Sequence, residues 1–130
     1  MTHRFPVRVY YEDTDLAGIV YHANYLRFVE RARSEMVREA GIDQKEMRAG
    51  GRVFAVRRIE ADYLRPARYD DALVVETALG TVGRARFEMH QTVRRGEEAL
   101  FRARVEIVCM DLSGRPRPLP GAVRAMAPPR

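Results

Sequence analysis

Between residues 72 and 110, apolar and polar residues alternate through three long stretches. No other feature of the chain limits its fold as much. In 72–82, Leu73, Val75, Thr77 and Leu79 share one face. In 84–94 the set is Ala85, Phe87, Met89, Gln91 and Val93. In 99–110 it is Ala99, Phe101, Ala103, Val105, Ile107 and Cys109. A period of two held this long predicts strands with one buried side. A sheet with one apolar face needs something to cover it. Gly83 and Arg95-Gly96-Glu97 fit the connections between these strands. A further strand is expected over 52–64, carrying Val53, Phe54, Val56, Ile59 and Tyr63. Pro66 closes it, because proline lacks the ladder donor and restricts its predecessor. A shorter strand is expected over 7–11.

The chain offers one long element to serve as cover. Tyr25, Phe28, Val29, Ala32, Met36 and Ala40 recur at steps of three and four, which predicts a helix over 24–40. Asn24 is a good N-cap residue, and Gly41 sits where a left-handed cap would stop the helix. Asp43 to Glu46 resembles a capping box and opens a short helix that Gly50-Gly51 ends. Residues 114–120 are proline-rich and extended, and a frayed tail is expected from about residue 122 to 130. The expectation is a single α+β domain over 1–130, with a bent antiparallel sheet of about five strands wrapped around one central helix. Apolar residues on the opposite strand faces, such as Val74, Leu100, Val108 and Met110, point to sheets that pack between subunits.

Several function classes are set aside at this point. The chain has no phosphate-binding loop, dinucleotide-binding glycine pattern, nucleophile elbow or paired-cysteine signature. His3, His22 and His90 lack ligand spacing, so no metal is expected, and no cofactor motif is present. Cys109, the one cysteine, falls on a buried strand face and reads as core. No apolar run reaches the roughly 18 residues that span a membrane. The first residues have no signal-peptide core, so a cytoplasmic protein is expected. The net charge of +5 comes from scattered arginines. It fits either a solvated surface or an anionic ligand, but without a basic run or recognition motif it does not indicate a nucleic-acid binder.

The stretch between the first strand and the long helix carries the candidate chemistry. Glu12, Asp13 and Asp15 precede Gly18 and an apolar patch that ends in Tyr21 and His22. Helix-start N–H groups favour negative charge and can hold a developing oxyanion. A carboxylate in front of them is a suggestive arrangement. Aspartates in loops also make local turn bonds, and the spacing alone leaves both readings open.

The run Tyr11-Glu12-Asp13-Thr14-Asp15-Leu16-Ala17-Gly18-Ile19-Val20-Tyr21-His22-Ala23-Asn24-Tyr25, followed by Phe28-Val29-Glu30-Arg31-Ala32-Arg33, resembles the 4-hydroxybenzoyl-CoA thioesterase family of hotdog-fold proteins. More narrowly, it is similar to the acyl-CoA thioesterases encoded with the bacterial Tol–Pal system. The likeness continues through Tyr63-Leu64-Arg65-Pro66-Ala67-Arg68-Tyr69-Asp70-Asp71 and Pro116-Arg117-Pro118-Leu119-Pro120. It implies a hotdog fold, hydrolysis of short-chain or aromatic acyl-CoA, and a homo-oligomer (dimer or dimer of dimers) with sites between subunits. The family's essential carboxylate falls on Asp15, as general base or nucleophile. The amide that polarises the thioester carbonyl falls at His22, whose imidazole is a further candidate, with Tyr21 and Asn24 as substrate contacts. Two other readings stand beside this one: hydrolysis of acyl carrier protein thioesters, and a non-catalytic module that binds acyl thioesters or a protein.

Overall fold

A computed structural model describes residues 2–127. Five strands form one antiparallel sheet: β1 (Thr2–Arg8), β2 (Val53–Tyr63), β3 (Ala72–Val82), β4 (Arg86–Arg95) and β5 (Glu98–Met110), in the order β1-β3-β4-β5-β2. The long helix α1 (His22–Glu39) lies over β1, β3 and β4. A short α2 (Gln44–Ala49) follows it, and α3 (Gly121–Ala125) lies near the end of the chain. This is the expected α+β arrangement. Among the described residues, no helix is long and apolar enough to cross a membrane.

The core follows from the two periods. Leu73, Val75, Phe87, Met89, Val93, Phe101, Val105 and Cys109 project from one side of the sheet and are buried. Phe28, Val29, Ala32 and Met36 meet them from α1. Each such side chain contributes roughly 1.5–3 kcal/mol of burial. The register shifts at Val56/Arg58, Leu79/Val82 and Val93/Arg94, and such bulges bend and twist a sheet.

Four expectations are corrected. β1 begins at Thr2 and ends at Arg8, because an edge strand tolerates Pro6 where no ladder donor is required. Tyr11–Asp13 forms a 3₁₀ turn where the end of that strand was expected. α1 begins at His22 with Tyr21 as its cap residue, so Asn24 lies inside the helix. Residues from 122 do not fray as expected: α3 packs down with Val123 and Met126 buried. The final part of that expected tail, 128–130, lies outside the described residues.

The edge strand β2 is unusual. It pairs with β5 on one side only, and its inner face is not closed over by α1. Val56, Ile59 and Tyr63 therefore stay exposed although they point the same way as the core of β5.

Candidate active site

The loop before α1 is held by its first aspartate. Asp13 is 6% exposed, and its carboxylate accepts from the Tyr10 N–H at 2.8 Å and from the Asn24 side-chain amide at 2.7 Å. The Asp13 carbonyl accepts from the Tyr21 N–H at 2.8 Å. A carboxylate this deep is tolerable only because its oxygens are bonded. These three bonds fix the loop to the first turn of the helix.

Asp15 is placed differently. Its carbonyl accepts from the Gly18 N–H at 3.0 Å, and its Oδ1 accepts from the Ala17 N–H at 2.9 Å. That is a tight turn with an aspartate side chain capping it, and Gly18 supplies the φ of +77° at its end. The Asp15 N–H returns to the Ile19 carbonyl at 3.0 Å, so the turn closes on itself. Asp15 is exposed, and its Oδ2 has no protein partner among the described residues.

The helix start stands beside this turn. Tyr21 makes no side-chain cap bond, and the N–H groups of His22 and Ala23 find no acceptor among the described residues. The first helical amides thus remain free, where the helix dipole favours a negative charge. Tyr63, at the end of β2, donates its hydroxyl to the His22 carbonyl at 2.9 Å. The His22 ring lies between Tyr21 (centroids 4.5 Å apart) and Tyr63 (6.3 Å). Beneath them Tyr25 stacks on Phe101 at 5.1 Å and accepts from the Ala67 N–H at 2.9 Å. Burial pushes the Tyr25 phenol above its ordinary range, with the Ala67 bond opposing the shift.

Tyr21 and His22 are exposed at the helix start, and the exposed Asp15 turn leads into it past the Thr14–Val20 bridge. Asp15 and His22 are not hydrogen-bonded to each other. Asn24 belongs to the same structure from below, through Asp13, with its side chain buried. Residue reasoning missed two contributors. One is Tyr63, visible in the sequence only as an apolar strand position. The other is Asp13, which the chain's pattern left level with its neighbours. Tyr10, Tyr11 and Leu16 in the same loop, and Leu64 and Tyr69 between β2 and β3, are also exposed.

A second feature lies at the opposite end of β2. A cavity of about 500 Å³ is walled by Val108, Met110 and Pro116 and edged by Arg57, Arg84 and Arg86. Cys109 sits in its floor, buried, and burial raises its thiol pKa above the ordinary value, so it serves as core.

The comparisons with known proteins agree with this architecture. Residues 9–126 match the thioesterase-like superfamily. The chain belongs to that superfamily, its class is that of the thioester hydrolases, and its fold is the hotdog fold. Its relatives include the acyl-CoA thioester hydrolase YbgC of Escherichia coli O157:H7, 42% identical over 124 residues, with 94% of this chain and 92% of that protein covered. The acyl-CoA thioesterase YbgC of Haemophilus influenzae (strain Rd) is 42% identical over 116 residues, covering 88% of this chain and 85% of the other. The crystal structure of a "probable thioesterase" from Bartonella henselae superposes with a TM-score of 0.87 at 42% identity, covering 92% of this chain and all of that one.

Proposed function

We propose that this protein hydrolyses short-chain or aromatic acyl-CoA thioesters to the free acid and CoA. Within the superfamily we place it in the Tol–Pal-associated branch of the 4-hydroxybenzoyl-CoA thioesterase family, on the run from Tyr11 to Tyr25, and expect it to work in the cytoplasm. The observation that carries the proposal is the free helix start at His22, with an exposed carboxylate in the turn beside it. A thioester carbonyl set against the His22 N–H would develop its negative charge where the helix dipole favours it. Asp15 would take a proton from the attacking water, or attack the carbonyl itself to give an anhydride that water then opens. In both routes the thiolate of CoA leaves and is protonated, and the acid is released. Asp13 and Asn24 act by holding the loop against the helix. Arg57, Arg84 and Arg86 are the candidates for the CoA phosphates, which arginine can grip bidentately.

The same reading makes the working unit a dimer. β2 offers 11 residues of unpaired strand edge and an uncovered apolar side. An edge of this kind invites pairing with another chain. Its sequence Arg57-Arg58-Ile59-Glu60-Ala61-Asp62 complements itself when run antiparallel, with cations at one end and anions at the other. Pairing about Ile59 sets Arg58 against the partner subunit's Glu60 and brings Tyr63 to the stretch around the partner's Phe54. Each helix start would then be covered by the other subunit.

The test is a panel of CoA thioesters, aliphatic to aromatic, assayed for released thiol with wild type and Asp15→Asn. The variant is expected to fold and to lose turnover by about 10²–10⁴-fold, the usual contribution of a general base. Full activity in the variant removes Asp15 from the mechanism. A wild type inactive on the whole panel removes the activity. The matching acyl carrier protein thioesters, run in competition, decide which carrier the arginines serve.

A further inference from the structure

Arg33 stands out among the buried polar groups. It lies on the sheet-facing side of α1 and is 9% exposed. Its Nη1 donates to Gln91 Oε1 at 3.0 Å. Gln91 is itself fully committed, donating to the Val29 carbonyl at 2.9 Å and to Thr77 Oγ1 at 3.0 Å. A guanidinium has five N–H donors; the other four have no protein acceptor among the described residues, and none of its unbonded nitrogens is fully enclosed, so they stay open to solvent. Among the described residues no carboxylate forms an ion pair with it. Glu30, the nearest source of negative charge, is exposed on the same helix. Burial lowers the Arg33 pKa from its ordinary value, and the charge of Glu30 opposes that.

Fastening the helix to the central strand explains little of this. A Met or Leu would fill the same place without the desolvation cost of a cation, and buried ion-bearing sites are often more stable when replaced that way. The free donors of Arg33 instead line a cavity of about 110 Å³ between α1 and β2. Phe54, Val56, Phe87 and Ile107 form its apolar walls, and Glu30, Ser34 and Gln44 complete its polar side. A space of this size admits a small group. That suits a carboxylate together with the carbon or ring edge that bears it.

Within one subunit the cavity is too far away to serve a short acyl group. Arg33 follows His22 by about three turns, roughly 16 Å along the axis. The dimer proposed above changes this. Tyr63 holds the carbonyl of His22, and self-pairing of β2 about Ile59 carries Tyr63 to the partner's Phe54 and Val56. Those two residues wall the Arg33 cavity. The helix start of each subunit therefore faces the cavity of the other.

We infer that Arg33 selects the acyl group across the subunit interface, favouring short or aromatic acyl groups that carry a carboxylate at the end away from the thioester. The inference rests on the thioesterase reading and on the β2 dimer, and it names the substrate class. Matched thioesters test it: succinyl-CoA against butyryl-CoA, and 4-carboxybenzoyl-CoA against 4-methylbenzoyl-CoA. Wild type is expected to prefer the carboxylated member of a pair in kcat/KM by about 10- to 100-fold, the span that one charge-assisted hydrogen bond supplies. In Arg33→Met that ratio is expected to collapse towards one. Arg33→Lys, which keeps the charge without the fork, should retain part of it and stands in if the methionine variant does not fold.

Mixing Arg33→Met with Asp15→Asn subunits adds the cross-subunit readout. Only a shared site recreates one intact centre per mixed dimer, so the carboxylate preference should return. Equal turnover of both members by wild type, or an unchanged ratio in the variants, overturns the inference and leaves the thioesterase reading standing. Loss of preference that mixing does not restore overturns the cross-subunit placement. No turnover of any thioester overturns the inference and the thioesterase reading together.

Discussion

Asp13 and Asp15 carry the same group two positions apart, and their surroundings give them opposite work. Asp13 is enclosed and bonded from two sides, while Asp15 keeps one oxygen free at the surface. Their variants should separate accordingly. Asn24→Ala removes one donor from an enclosed carboxylate, and an unsatisfied buried group costs about 1–3 kcal/mol. Thermal unfolding of that variant should fall by a corresponding amount, and turnover should fall with it as the loop loosens. A melting curve superposable on wild type would mean that the Asp13–Asn24 bond is dispensable. Asp15→Asn should leave the melting curve near that of wild type, because the turn needs only an oxygen acceptor and the amide supplies one.

At the scale of elements, the loop that leads into β3 is tied to the β4–β5 hairpin by charge. Asp71 accepts from the Arg68 N–H at 2.8 Å and from Arg95 at 2.8 Å, and Arg95 also holds Glu98. Burial raises the Asp71 pKa, but the Arg68 N–H and the Arg95 guanidinium outweigh it and hold the carboxyl below its ordinary 3.8. The folded value is depressed, so ionised Asp71 adds stability above the unfolded value. That stability disappears as pH falls through the folded one. Denaturant titrations of wild type and Asp71→Asn should therefore differ near neutral pH and draw together only as pH falls from about 3.8 through the lower folded value. A gap that stays constant with pH would deny the carboxylate this role.

Elements were also where the sequence was most readable. Alternation in β3, β4 and β5 placed Phe87, Met89, Phe101 and Val105 on the covered face, and the helical step placed Phe28 and Ala32 opposite them. Alternation says which way a residue points and not whether anything lies above it. That is why Val56, Ile59 and Tyr63 read as core and yet are exposed. α3 spans only five residues, less than two turns, so Val123 and Met126 gave no period to detect. At the candidate site, a carboxylate loop ahead of the long helix was legible. The burial of Asp13 was not, because it depends on Asn24 coming round one turn of helix.

At the scale of the whole molecule, the bare inner side of β2 and the helix start at His22, which Tyr63 of that strand touches, lie along one margin. A monomer would leave both in water, and one self-complementary contact would cover both. Because the contact is isologous, every pairing occurs twice. Arg58→Glu would therefore place two like-charge pairs at the centre of the interface, and such pairs cost several kcal/mol. Sedimentation at falling concentration should show wild type as a dimer and Arg58→Glu shifted strongly to monomer. Glu60→Arg should behave in the same way. The double variant Arg58→Glu with Glu60→Arg exchanges the two signs and should recover dimerisation, although each single change is harmful. Thioesterase activity should follow the dimer through all four proteins, since the helix start is covered only in the pair. A wild type that sediments as a fully active monomer, or a double variant no better than the singles, would reject the β2 contact and with it the shared site.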